Sequence, residues 1–474
     1  MARVYYERLS DESAGFLEYE NSRRRAHIAM VLVFEAGRLA TEGGGIDFER
    51  VREIVSSRLR ELPRLRTKLR RIPLDGHPVW VDDPEFNLDY HLQQSSLPRP
   101  GNQDQLCRTA ARIAATRLDR SRPLWDCWVI EGLAEGRFAL VLKMHKALAL
   151  FEGADLLRAI LSTTEGPTRC GMGRYSPRPA PSPVELFSQE VLRRWSPSRR
   201  TMGGVFNFLR KPSRAGRELK EQAEGMLRVM GYRLRPAGES PFDGNLGPHR
   251  SFSFQEVDLE SVQAIRRALG GTVHDVVLTI LSGALRRFLG ELHVSPVTVD
   301  LRGVTPILDS LGEEAHPWFV ELPIWEESGP GRHDLLCEQT RRIRAEADAA
   351  SGEMLAAGDE WNAAHLFAIG ARALKEIEAG QLAILQCPGP QNPLYLDGAR
   401  LEECYGILPL RDSSGLGITA MSYTGSIFFA FNCDPDIVHD VRRLRDAVDS
   451  EVAELLGVSS ERGPALRAVG GSDP

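Results

Sequence analysis

Residues Pro123–Leu157 read PLWDCWVIEGLAEGRFALVLKMHKALALFEGADLL. Two apolar, β-branched and aromatic runs, Trp125–Glu131 and Phe138–Met144, flank the turn GLAEGR, the pattern of two strands joined by a short connection. The second run delivers His145 at its end, and a loop of small residues leads on to a helix over Ala154–Ser162. A histidine at a strand terminus beside a glycine-bearing loop is held by backbone on both sides, which suits general-base work. On the residues alone, a structural or surface histidine there is the prevailing reading.

Upstream, Ile28–Phe34 (IAMVLVF) is a nearly continuous apolar run and reads as a buried strand. Asp47 is a suitable N-cap for a helix to Leu62, with Phe48, Val51, Val55, Leu59 and Leu62 on one face. Gln103–Leu118 has the same helical spacing. From Gly166 to His249 the chain is rich in Pro, Arg and Ser, with a helical insert at Ser213–Leu234, and reads as a linker or crossover. Beyond it, Ser251–Leu259 reads as a strand, Leu259–Leu269 and Val273–Leu289 as helices, and Val294–Asp300 as a strand. Gly417–Tyr423 and Ser426–Phe431 form a hairpin around Thr424-Gly425, and Val438–Leu456 closes the chain as a helix. The expected architecture is α/β (α+β): a first domain over residues 1–165, a linker over 166–249 and a second domain over 250–474.

The length of 474 residues suits two or three domains, and 42% hydrophobic with 26% charged residues suits a sizeable core. A net charge of −6 argues against a nucleic-acid binder, which needs a basic face. The seven cysteines are odd in number and form no CxxC pair, so a disulfide framework or zinc ribbon is not expected, and no metal site is assigned. The N-terminus MARVYYERLSDESAGF has no secretion pattern, and no apolar run approaches the ~20 residues that span a bilayer. A cytoplasmic protein is expected. The basic and aromatic stretch Val191–Lys211 leaves two readings open: peripheral contact with an anionic inner-membrane surface, or a solvated linker. No GxSxG, P-loop, HExxH or GxGxxG occurs, which leaves serine-hydrolase, nucleotide-triphosphate, zinc-protease and dinucleotide chemistries without support.

The PLW, IEGL, EGR, AL and K-x-H elements of Pro123–Leu157 resemble the active-site region of bacterial wax ester synthase/diacylglycerol acyltransferases, which belong with chloramphenicol-acetyltransferase-like and condensation-domain proteins. The likeness extends over nearly the whole chain. It includes LSDESAGFLEYEN, RRAHIAMVLVFE, PEFNLDYHLQQSSLPRPG, GPHRSFSF, GGTVHDVVLTILSGALRRFL, CPGPQNPLYLDGARL and SYTGSIFFAF. The resemblance implies two chloramphenicol-acetyltransferase-like domains with a tunnel between them. An acyl-CoA co-substrate would enter from one side and a hydrophobic acceptor from the other, with no resident cofactor.

In that family an HHxxxDG motif supplies the catalytic base as its second histidine. Here the run is His145-Lys146-Ala147-Leu148-Ala149-Leu150-Phe151, so Lys146 stands at the base position and Leu150-Phe151 at the Asp-Gly position; a two-residue slip would place Glu152-Gly153 there. The family's TVND becomes Thr272-Val273-His274-Asp275, its Gly-Asn becomes Gly312-Glu313, and Leu385-Gln386 precedes Cys387-Pro388-Gly389-Pro390. The resemblance implies that these segments converge on one pocket or brace it. A neutral imidazole of pKa ~6.5 can accept a proton from an alcohol, whereas a lysine of pKa ~10.4 is already protonated at neutral pH, and Glu313 could hold it charged. His145 and Lys146 are the catalytic candidates. Trp125, Leu150, Phe151, His274, Asp275, Glu313 and Gln386 are the substrate-binding candidates, although Trp125 also reads as core packing and His274-Asp275 as a helix cap. His27 and His91 read as structural.

Acyl transfer from a thioester to an alcohol or amine through an altered site is thus the leading reading. The alternatives are a repurposed protein, either a hydrophobic-ligand binder or a shape-steered cyclisation enzyme, and a scaffolding subunit of an active homologue. Acceptor identity, acyl length and oligomeric state are not legible.

Overall fold

The structure, a computed structural model, describes residues 5–148, 157, 159–168, 170, 176–195, 240–308, 315–350, 382–411 and 414–469. Its strands are β1 (Glu7–Arg8), β2 (His27–Glu35), β3 (Thr67–Arg71), β4 (Pro78–Asp82), β5 (Leu92–Ser96), β6 (Trp125–Glu131), β7 (Arg137–His145), β8 (Ser251–Asp258), β9 (Arg302–Leu308), β10 (Ala315–Glu321), β11 (Leu382–Cys387), β12 (Tyr395–Leu396), β13 (Ala399–Ile407), β14 (Leu416–Tyr423) and β15 (Ser426–Cys433). They form two six-stranded sheets, β12-β13-β2-β7-β6-β5 and β10-β9-β11-β14-β15-β8, beside a small β1-β4-β3 sheet.

Continuous apolar sequence puts β2 and β7 in the middle of the first sheet, where strands are covered on both faces. All of β2 but Glu35 and all of β7 but Arg137 are buried. They pair antiparallel from His27↔His145 to Glu35↔Arg137. The Gln103–Ala115 helix, opened by an Asn102/Gln105 capping box, buries Leu106, Cys107, Ala110, Ala111, Ile113 and Ala114. Its third face, with Arg108 and Arg112, is exposed. Gln103 donates to the Phe254 carbonyl of β8 at 2.6 Å, so this helix sits on the seam between the two sheets. In the second half the Leu259–Leu269, Val273–Glu291 and Val441–Val469 helices pack against the second sheet in one apolar cluster.

The halves are not two separate stretches of chain, as a division at 166 and 250 would have them. β12 and β13, from residues beyond 390, lie in the first sheet, with β13 paired to β2 from Leu401↔Phe34 to Ile407↔Ala29. Tyr405 of β13 stacks on Phe254 with ring centroids 3.8 Å apart and meets Phe428 edge-on at 5.4 Å. The Asn432 amide brackets Leu408 through both its N–H and its carbonyl. Arg250 crosses the same seam, donating to Arg23 O in the first half and pairing with Asp434 in the second.

Most expected elements are present with boundaries moved by a few residues. The exception is Val294–Asp300, expected as a strand. It holds a 3-10 turn at Pro296–Thr298, and the strand begins at Arg302, because Pro296 has no N–H for a ladder and sits mid-segment. The Ser213–Leu234 insert and most of Ala154–Ser162 lie outside the described residues. All seven cysteines are free. Among the described residues no single helix is long and apolar enough to cross a membrane.

Because Tyr405 is fully buried at the strand exchange, Tyr405→Ala is expected to destabilise by about 3–5 kcal/mol, as large aromatic deletions do. Tyr405→Phe, which removes only the hydroxyl donated to Glu403 at 2.8 Å, should cost about 1 kcal/mol. Urea denaturation of both variants checks the ordering.

Candidate active site

His145 ends β7, donates its N–H to Leu124 O at 3.0 Å and accepts the Ala147 N–H on ring Nδ1 at 3.0 Å. An acceptor Nδ1 places the neutral ring's hydrogen on Nε2. That nitrogen faces Glu20 Oε2 at 3.9 Å and makes no hydrogen bond. Cross-strand register sets His27 directly opposite, with its ring centroid 5.7 Å away and its Nε2 2.8 Å from Glu20 Oε1. Arg120 Nη2 donates to Glu20 Oε2 at 2.7 Å. A single buried carboxylate therefore faces two imidazoles and a guanidinium.

Burial alone would raise the Glu20 carboxyl, but the hydrogen bond and charge of His27, with His145 and Arg120 behind them, outweigh it and hold the group at about 2. Burial pushes His145 down to about 3, with the neighbouring His27 acting the same way and Glu20 opposing. His27 is likewise lowered, by burial first and against the pull of Glu20. Glu20 was not singled out by the sequence, and His27 read as merely structural. Their signal lies in combination: an acid just past the Asp11–Tyr19 helix, and two histidines that strand register brings face to face.

Lys146 starts the following helix, donates its N–H to Ala26 O at 2.8 Å and is 3% exposed. Its Nζ lies 4.2 Å from the Phe16 ring centroid, within cation–π range. Phe16 and Glu20 are four residues apart, so one segment serves both members of the His145-Lys146 pair. Two residues earlier on the same face of β7, Lys143 is buried and donates to Ile113 O and Thr116 O at 3.0 Å each, pairing with Asp126 at 3.2 Å. This locks β7 to the end of the Gln103–Ala115 helix.

The remaining candidates fall elsewhere or outside the described residues. Leu150, Phe151 and Glu313 belong to the latter. Trp125 is fully buried, donates its indole N–H to Leu65 O at 2.7 Å and stacks on His91 at 4.8 Å, which are the contacts of a core residue. His274 and Asp275 open the Val273–Glu291 helix, where Asp275 completes a capping box with Thr272 and accepts from Thr340 at 2.6 Å. Burial pushes His274 down to about 4, and its ring meets Gln386. Along β11, Leu382 and Ile384 belong to the helix-side core and Ala383, Leu385 and Cys387 to the first-sheet core. Alternation therefore turns Gln386 to the helix side, with His274. Among the described residues the polar and ring contacts of the His145 side chain are with Glu20, His27 and Ala147, and none is with this second cluster. No group of three or more His, Cys, Asp or Glu among them is disposed to hold a metal.

The model of the wax ester synthase/diacylglycerol acyltransferase catalytic domain matches residues 9–277, and that of the family's C-terminal domain matches residues 356–456. The chain belongs to the wax ester synthase/diacylglycerol acyltransferase family. Its curated relatives include a putative diacylglycerol O-acyltransferase of Mycobacterium tuberculosis (strain CDC 1551 / Oshkosh), 29% identical over 96% of this chain and 91% of that one. Another, from Mycobacterium bovis, is 28% identical over 96% of each chain. The fold is shared with the wax ester synthase/diacylglycerol acyltransferase of Marinobacter aquaeolei VT8, with TM-score 0.64 and 22% identity over 96% of this chain and all of that one. It is shared also with the first condensation domain of the calcium-dependent antibiotic synthetase, with TM-score 0.53 and 12% identity over 97% of each chain. Acyl transfer is the reaction for which the family is named, and in this chain a lysine, Lys146, follows His145.

The Glu20 hub predicts an acid-labile fold. His145 is held near 3 against an ordinary 6.5, so protons taken up by the unfolded chain weaken the fold as pH drops from 6.5 toward 3. Glu20 adds a second loss as pH falls from 4.5 toward 2. Urea midpoints measured across pH should decline in that order, and Glu20→Gln should lower the midpoint at neutral pH while removing the low-pH limb.

Proposed function

We propose that this chain transfers an acyl group from a thioester such as acyl-CoA to an amine or alcohol acceptor, and that its altered motif favours amines, which give up their extra proton to solvent beforehand and then attack in the neutral form without a protein base. The observation that carries this is the Nζ of Lys146 against the Phe16 ring face, at the residue that the motif resemblance aligns with the family's base. The ring quadrupole attracts an ammonium and has no hold on a neutral amine. His145 does not replace the missing base, since Nδ1 is occupied by the Ala147 N–H and Nε2 carries the hydrogen.

The chemistry follows from that inventory. An alcohol must shed its proton as it attacks, and a base is worth roughly 10²–10⁴-fold in such steps. A neutral amine forms the C–N bond directly. The C–S bond then breaks, and the departing thiolate takes the proton that the new amide releases, so the step balances without an outside base. Lys146, as a cation beside the reacting carbonyl, would stabilise the developing oxyanion.

A thiol-release assay with long-chain acyl-CoA tests the reading. Turnover with a fatty alcohol or diacylglycerol should be slow and should rise on Lys146→His by about 10²-fold. Turnover with a long-chain amine should exceed that with the alcohol in the unmodified protein and fall on Lys146→Ala. Rapid alcohol transfer abolished by Lys146→Ala would make the lysine a base and sink the preference. No turnover with either acceptor, together with tight binding of an apolar ligand, would favour the repurposed-binder alternative.

We also infer peripheral contact with an anionic membrane surface through the segment that includes Val191–Lys211. What supports it is the Pro183–Trp195 helix, on which Val184, Phe187 and Val191 are exposed on one face. Co-flotation with phosphatidylglycerol vesicles should fall on Val184→Asp/Phe187→Asp; equal flotation of the two proteins would remove this helix from the contact.

A further inference from the structure

A cleft of about 400 Å³ opens on the seam between the halves, lined on one side by Arg108, Arg112 and Thr116 of the Gln103–Ala115 helix and its end, and on the other by His249, Arg250 and Phe252. We propose that this cleft holds the phosphate-bearing handle of the acyl donor; the inference rests on the acyl-thioester reading above.

Three guanidiniums and an imidazole line it, and no acid does, in a chain of net charge −6. Arg108 and Arg112 stand one turn apart, an arrangement of like charges that weakens a helix. Among the described residues neither side chain makes a hydrogen bond or an ion pair, whereas Asp104, one turn earlier, is engaged by Arg442 and Arg445. The two guanidiniums are thus left for something outside the protein, and planar forks of this kind match phosphate oxygens. The opposite wall is fixed: Arg250 donates to Gly247 O, His249 O and Arg23 O and pairs with Asp434, whose carboxylate also accepts the Gly247 N–H at 2.6 Å. Asp434 is therefore occupied and does not oppose an anion.

The Thr116 end of the cleft is tied to the strand that carries His145. That Ala115–Thr116 end is a helix C-terminus, which by itself repels anions. Here Lys143 covers the Ile113 and Thr116 carbonyls and Arg25 covers that of Ala115 at 2.9 Å. Lys143 lies two residues from His145 on one face of β7, and Arg117 reaches to 3.9 Å from Glu20 Oε2. About 12 Å of helix separates Arg108 from Thr116. A donor lying along this helix would keep its phosphates at Arg108 and Arg112 and direct its thioester toward the His145-Lys146 pair.

Calorimetric titration with CoA, 3′-dephospho-CoA, phosphopantetheine and pantetheine tests this on the full chain, using the double variant Arg108→Gln/Arg112→Gln. Both positions are exposed, so folding is not at stake, and thermal melting verifies it. CoA affinity should fall at least tenfold in the variant, as loss of charged hydrogen bonds predicts, and should weaken with salt in the unmodified protein. Pantetheine, which has no phosphate, should bind both proteins alike. KM for acyl-CoA should rise by the same factor at unchanged kcat. A phosphopantetheine loss equal to that of CoA would assign the cleft to the phosphate that a carrier-borne donor also bears; a loss confined to CoA would assign it to the nucleotide end. Unchanged CoA affinity and KM in the variant overturn the proposal while leaving acyl transfer standing. CoA binding that depends on the two arginines, with no acyl thioester turned over, would keep the cleft and sink the transfer reading. No CoA binding by the unmodified protein overturns the cleft outright.

Discussion

The nine-residue antiparallel pairing of β2 with β7 is the constraint from which the candidate site follows. Because strand pairing has a fixed side-chain period, the register that buries both apolar runs also sets His27 opposite His145. A one-residue slip would separate the imidazoles and turn Lys143 away from the helix end it holds. The carboxylate between the imidazoles comes from another segment, and its burial is sustainable only because Arg120 and His27 meet both of its oxygens. Packing therefore selects the register, the register assembles the polar hub, and the hub immobilises the residue at the end of β7.

This ordering separates two functions that adjacent residues carry in the family's motif. His145, with one ring nitrogen taken by backbone and the other directed at a carboxylate, is built to hold shape. Lys146 beside it sets its Nζ against the Phe16 ring, and on the proposed reading its charge suits stabilisation of negative charge rather than acceptance of a proton. On that reading a change at one position alters the kind of acceptor served without disturbing the scaffold, since the main-chain N–H of Lys146 still bonds to Ala26 as any residue's would.

The sequence made the strands and helices legible where periodicity was strong: IAMVLVF, FALVLKM and the Thr424-Gly425 hairpin all appear close to their expected limits. It failed where a single residue overrides pattern, as with Pro296. It also failed where an interaction joins distant segments. Glu20 carries no local mark of its role, and no short-range rule places β13 beside β2 across more than 360 positions. Arg108 and Arg112 carry no local mark either; only the fold brings His249 and Arg250 opposite them. Trp125 shows the converse: a motif residue whose contacts are those of core packing.

The exchange of β13 has a consequence for how this chain is made. During synthesis the first half emerges with β2 lacking its outer neighbour, an exposed and strongly apolar strand edge of the kind that recruits foreign strands. That edge stays open until the chain has been extended past Ile407, so the first sheet cannot finish folding domain by domain as the ribosome delivers it. Any product that stops before residue 399 is left with the same open edge, which makes truncation a route to aggregation rather than to a smaller working unit, and gives the C-terminal third a part in the solubility of the whole.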